Sequence, residues 1–120
     1  MSRSAAAAAA LMLLWAAPCV RADDATPPQA LVRGWATLRA MDCARCHGRD
    51  HDGWAAPSLI EAVRSGTRER FMRLVLDGDI ERGMPGYRSQ PAVVAGLDDV
   101  YAYLQARAAG TIGPGKPGRD

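Results

Sequence analysis

The 120-residue sequence lacks much of what most function classes require. Its longest apolar run, Ala5–Ala17, spans 13 residues, whereas a membrane-crossing helix needs ~20. No segment alternates apolar and polar residues with period two, and no unit repeats, so neither a sheet nor a solenoid is indicated. Cysteine is scarce, at 3 residues, and aromatic residues make up 6% of the chain. A surplus of positive charge is also missing once the first 22 residues are set aside. Lys plus Arg is 15 and Asp plus Glu is 13; removing Arg3 and Arg21 leaves 13 against 13. That balance excludes a basic nucleic-acid-binding surface.

Those first 22 residues read as a secretory leader. Arg3 supplies the positive start, Leu11, Leu13, Leu14 and Trp15 the apolar centre, and Val20-Arg21-Ala22 the small residues of a cleavage site. Cleavage is expected between Ala22 and Asp23, with the product exported to the periplasm and not membrane-spanning. Cys19 is a weak lipidation site, because Pro18 stands just before it and Ala16 three before, where a small residue and a leucine are preferred. The mature chain then keeps two cysteines, Cys43 and Cys46. A domain this small buries a modest fraction of its surface and often needs a staple or metal.

What remains is helical. Residues 23–29, with Pro27-Pro28, suit a flexible start. From about Ala30 to Asp42, Leu31, Trp35 and Leu38 recur on one helical face. Gly48, Gly53 and Pro57 break the following stretch. A short helix is expected from about Ser58 to Arg64. Thr67 is a good N-cap for a helix over 68–77, which Gly78 would end. Residues 78–91 are again glycine- and proline-rich. A last helix is expected from about Leu97 to Ala109, with Asp98 and Asp99 in its first turn and Leu97, Val100, Tyr101 and Leu104 on its buried face. The 111–120 tail is expected to be flexible. The fold class is all-α, three to four helices in one domain over 30–110.

The chemical signal is Cys43-Ala44-Arg45-Cys46-His47. Cys-x-x-Cys-His is the attachment site of c-type haem. The two thiols add to two vinyl groups on one porphyrin edge, and the next residue, His47, falls beneath the iron as an axial ligand. Zinc would need four ligands, and only His51 remains nearby. A thioredoxin-like pair would need a strand and sheet, and a disulfide between Cys43 and Cys46 would close almost no loop. One covalent haem c is therefore the expected cofactor, and its propionates would make the net charge negative.

The second iron ligand is expected to be Met84, in Arg82-Gly83-Met84-Pro85-Gly86-Tyr87, where glycines permit close backbone approach to the porphyrin and Pro85 stiffens the loop. Met41 is too near Cys43 to cross the haem plane, and Met72 suits packing within its helix. The Pro57 carbonyl is the candidate acceptor for the His47 ring N–H, and Leu59 is a candidate haem-packing residue. Trp54 and Tyr87 suit either haem cover or generic core. His51 is expected to be solvent-exposed, and Arg45 and Arg88 to be solvated surface charges.

In this order, helix, Cys43-x-x-Cys46-His47, Pro57-x-Leu59, Met84-Pro85 and aromatic helix, the chain resembles the class I cytochromes c. The resemblance covers essentially all of 30–109. It implies one haem wrapped by helices, single-electron transfer rather than enzymatic activity, and a close crossing of first and last helices with Gly34 and Leu38 against Tyr101. Asp98-Asp99-Val100-Tyr101-Ala102-Tyr103-Leu104, Ala106-Arg107, Gly110 and Gly113-Pro114-Gly115 further resemble the C-terminal part of the small cytochromes c of the cytochrome c-L type, as does Met84-Pro85-Gly86-Tyr87. Those accept electrons from pyrroloquinoline-quinone (PQQ) alcohol dehydrogenases. The resemblance implies such a donor, with a downstream cytochrome or terminal oxidase as acceptor. A haem subunit fixed in a larger oxidoreductase, and a general carrier to a terminal oxidase, are the alternatives.

Overall fold

A computed structural model describes residues 28–118 of the chain. The expected leader, its cleavage point and Cys19 lie outside the described residues. Five α-helices follow one another: α1 (Pro28–Ala40), α2 (Ala44–His47), α3 (Leu59–Ser65), α4 (Arg68–Asp77) and α5 (Pro91–Ala108). A 3-10 turn, Ile80–Arg82, follows α4. Among the described residues there is no strand, only an isolated antiparallel bridge between Asp79 and Met84. The architecture is all-α.

Helices α1 and α5 form the most extensive contact between elements. Gly34 makes it possible. A Cβ at that position would lie 2.1 Å from the Asp99 carbonyl oxygen and 3.0 Å from Tyr103 Cβ, so only a residue without a side chain lets the two backbones meet. The aromatic at this crossing is Tyr103, not Tyr101 as expected. Two residues along a helix is a turn of about 200°, so Tyr101 faces the other way and packs on Phe71, with ring centroids 5.3 Å apart. The buried face of α1 shifts accordingly. Ala30, Gly34 and Leu38 are buried, while Leu31 and Trp35 are half-buried.

Helix α5 starts at Pro91, six residues earlier than expected. Proline is tolerated at the first helical position, where its missing N–H would have no partner anyway. Gln90 provides no side-chain cap there. Asp98 and Asp99 therefore sit inside the helix instead of in its first turn. They act laterally: Asp99 Oδ2 accepts from Arg33 Nε of α1 at 2.7 Å, and Asp98 pairs with Arg68 of α4. Gly96, which suggests a break, lies within α5 facing Thr37 of α1.

Helices α3 and α4 close the core from the other side. Ser58 and Thr67 cap them, their hydroxyls accepting from the Glu61 and Arg70 amides at 3.1 and 3.2 Å. Leu38, Ile60, Val63, Phe71, Leu97, Val100, Tyr101, Tyr103 and Leu104 form the buried cluster. The stretch after α5 is tied back at three points. Thr111 Oγ1 donates to the Ala106 carbonyl at 3.0 Å, Ile112 packs on the core, and Tyr103 Oη donates to the Gly115 carbonyl at 2.9 Å.

Candidate functional site

The chain leaves α1 through Asp42, at φ +53°, and enters the single turn of α2. Residues three apart on a helical turn are neighbours, so Cys43 and Cys46 present their thiols on one face. Both are free. Cys43 is half-buried against the core, and Cys46 is exposed. Burial pushes the Cys43 thiol above its usual range, and the nearby Asp42 and Cys46 add to the rise.

His47 closes the turn. Its Nδ1 lies 2.7 Å from the Pro57 carbonyl oxygen. A carbonyl can only accept, so Nδ1 carries the hydrogen and the Nε2 lone pair is left for a metal. The intervening loop is held by its own backbone. Gly53 and Ala56 donate to the carbonyls of His47 and Cys46, each at 2.8 Å, and Leu59 donates to His51 at 2.9 Å. Gly48, at φ +93°, is required here, because a Cβ on it would meet the Gly53 carbonyl oxygen at 2.6 Å.

His51, expected to be exposed, is 3% exposed. Its backbone takes a left-handed turn at φ +63°, which folds the ring inward. Nothing in the local sequence signals this, since a lone histidine among Asp50 and Asp52 has the composition of a surface loop.

Met84 lies across from α4 in the 78–88 loop. Its N–H donates to the Asp79 carbonyl and its carbonyl accepts from the Asp79 N–H, both at 2.9 Å. The loop is then fastened to the end of α4. Tyr87 and Arg88 donate to the Val75 and Leu76 carbonyls at 3.0 Å, and the Arg88 guanidinium holds Asp77 at 2.6 Å. Gly78, which ends α4 as expected, and Gly86, expected to let the loop approach the porphyrin, have a further role. A Cβ on Gly78 or Gly86 would strike facing backbone atoms at 2.6–2.8 Å. Their closeness serves backbone-to-backbone docking of the loop on α4. Met72 is half-buried on the core cluster, consistent with packing.

The cysteine turn and the anchor of the Met84 loop pack on one core: Cys43, Val75 and Leu76 all lie against the buried cluster. Burial raises the Tyr87 hydroxyl pKa, and Cys43 and Cys46 add to the rise. Leu59, Met72, Val75 and Leu76 are only half-buried, and Trp54 and Ile80 are 83% and 75% exposed. A small domain that leaves this much apolar surface uncovered next to two free thiols and a free imidazole nitrogen has the donor set and the surface that a covalently attached haem requires. The residues fit the group. Arg45 is exposed, as expected, and Arg88 is exposed but engaged with Asp77.

Comparison with known proteins agrees with this. The family described as "Cytochrome C oxidase, cbb3-type, subunit III" matches residues 29–104. Cytochrome c-555 of Methylococcus capsulatus is 32% identical over 115 residues, covering 95% of this chain and 89% of that protein. Cytochrome c-553I of Paracoccus denitrificans is 31% identical over 97 residues, 71% of this chain and 43% of that one. The crystal structure of the c-type cytochrome XoxG from Methylobacterium extorquens AM1 superposes with a TM-score of 0.67 at 32% identity, covering 74% of this chain and 57% of that one.

Proposed function

The chain belongs to the c-type cytochromes, and from that premise we propose that it is a periplasmic single-electron carrier whose donor is a PQQ-dependent alcohol dehydrogenase. It is a small electron-transfer protein, not an enzyme, and it carries haem c covalently. When bound, the haem iron supplies a one-electron couple. The chain's residues set how that couple is held.

In this reading Cys43 and Cys46 form the two thioether links. His47 would bind the iron through the Nε2 that the Pro57 hydrogen bond leaves free. That bond is the observation that carries the assignment, because it fixes both the tautomer and the ring plane. Met84 would be the second iron ligand, presented by a loop docked backbone-to-backbone on α4. A thioether favours the reduced state relative to a second imidazole. Leu59 and Tyr87 would line the cofactor, and Trp54 would cover it.

The donor assignment is supported by the resemblance of residues 98–115 and 84–87 to cytochromes of the c-L type. A reduced quinone yields two electrons and one haem accepts one, so two carriers must visit per turnover and each must leave quickly. Such encounters bury little surface, below about 1,200 Å². The expected mature charge balance of zero gives little long-range steering. Local charges at Arg45, Arg49 and Arg88 are left to orient the contact. A fixed-subunit reading is favoured by one observation, the match to an oxidase subunit family.

The test is to mix the oxidised protein with a PQQ alcohol dehydrogenase and its alcohol and follow the haem bands. Reduction much faster than that of an unrelated class I cytochrome is expected. Equal rates would refute the donor while leaving the carrier function intact. Co-elution with a terminal oxidase in size-exclusion chromatography would instead favour the fixed subunit.

A further inference from the structure

A cavity of about 480 Å³ lies between α1, α5, the loop after His47 and the C-terminal stretch, and neither thiol belongs to its wall. Arg39 enters from α1, Arg49 and His51 from the loop, and Lys116 from the tail. We propose that this cavity binds a small oxyanion, with Arg39, Arg49, His51 and Lys116 as its ligands.

Three observations carry this. His51 Nε2 is the one buried side-chain nitrogen or oxygen without a hydrogen-bond partner among the described residues, and His51 forms part of this wall. Nε2 is closed off from the cavity, so the donor that a ligand there would meet is Nδ1, which also makes no hydrogen bond among the described residues. The surrounding charge is also uncompensated. Arg33, Arg64, Arg68, Arg82 and Arg88 each contact a carboxylate. Among the described residues Arg39, Arg49 and Lys116 contact none, and Asp50 is the only acid in the wall. Finally, the frame is built in advance. Arg39 stacks on Trp35 at 5.7 Å, and Tyr103 Oη holds the tail through the Gly115 carbonyl.

The chemistry selects an oxyanion over other ligands. Guanidinium groups offer paired N–H donors that match phosphate and carboxylate oxygens. His51 adds a donor without adding charge, since burial and then Arg107 hold its pKa below the ordinary 6.5. The volume exceeds the roughly 30 Å³ share of one water many times over. A bound anion would join Lys116 of the tail to the loop that follows His47.

The test is calorimetric titration of the haem-loaded ferric protein with inorganic phosphate, and separately with acetate, at an ionic strength held constant by chloride. One saturable site is expected. Arg39→Gln and Lys116→Gln should each weaken it about tenfold, the usual worth of a charge-assisted hydrogen bond. Arg70→Gln, on exposed α4 surface, should leave it unchanged. Tighter phosphate than acetate would identify a phosphate-type ligand, and the reverse a carboxylate. No saturable heat with either anion, or equal weakening in Arg70→Gln, would overturn the proposal and leave the cavity to water alone.

Discussion

Replacing Gly34 by alanine should be among the most damaging single-atom additions in this protein. The new Cβ would stand 2.1 Å from the Asp99 carbonyl oxygen and 2.6 Å from its carbon. An ordinary carbon–oxygen contact is about 3.3 Å, so α1 and α5 must part by roughly 1 Å. Neither obstacle is a side chain, so no rotamer change relieves the clash. A gap of that size forfeits a quarter to a half of each dispersion contact across the seam. Overpacking of this kind costs up to about 3 kcal/mol, and alanine's better helix propensity returns at most about 1, which leaves a loss near 2 kcal/mol. For a domain of this length that lowers Tm by roughly 8–16 °C. Gly96→Ala is the control. Its Cβ would meet Thr37 Oγ1 at 2.7 Å, a side-chain atom. Thr37→Ala removes that obstacle, and Gly96→Ala in this background should be neutral or stabilising. Thermal unfolding of the haem-loaded protein, followed by far-ultraviolet circular dichroism, measures all four. An unchanged Tm in Gly34→Ala would refute the backbone-contact argument.

Met84→Ala should lower the midpoint potential and let carbon monoxide reach the iron, while half-buried Met72→Ala should cost only packing, about 1–2 kcal/mol; carbon monoxide binding in the Met72 variant alone would reverse the ligand assignment. Stability should fall with acidification below pH 6.5, because burial, then Arg107 and His47, hold the folded-state pKa of His51 below that value, against weaker opposition from Asp50 and Asp52. The unfolded chain therefore binds the proton first. Urea midpoints across this range, compared with those of His51→Gln, give the measurement, and identical slopes would sink the argument. A Cys43→Ala, Cys46→Ala double variant lacking haem should show little helix by circular dichroism, since its uncovered apolar surface would have no partner; a well-folded apo-chain would contradict this.

The legible parts of this fold were those encoded within a few residues. Helix α4 is bracketed by Thr67 and Gly78, both of which use standard cap chemistry, so its bounds follow from sequence. The start of α5 lacks such a mark. Gln90 caps nothing through its side chain, and Gly96 imitates a break because the reason for it, Thr37, is 59 positions away in the chain. Tyr101 and Tyr103 stand about 200° apart on the same helix, so which of them meets Gly34 depends on how α5 is rotated against α1, and no local residue marks that. His51 was misplaced because its burial depends on a left-handed turn and on a tail more than 60 residues later. At the candidate site, the cysteine pair, His47 and Pro57 lie within 15 residues and were readable together. The docking of Gly78 on Gly86 was signalled only by glycine spacing, which two different partners explain equally well.

The bond from Tyr103 to the Gly115 carbonyl bears on how the protein can be tagged. A free ten-residue tail of this composition would let an attached group wander about 17 Å. Pinned at Gly115, the chain instead holds a group attached at Lys116 close to the protein. A fluorophore on Lys116 would therefore report on the surroundings of α1 and α5, and a bulky one would crowd the seam between them. A group meant to stand clear of the protein belongs elsewhere, or after an added spacer.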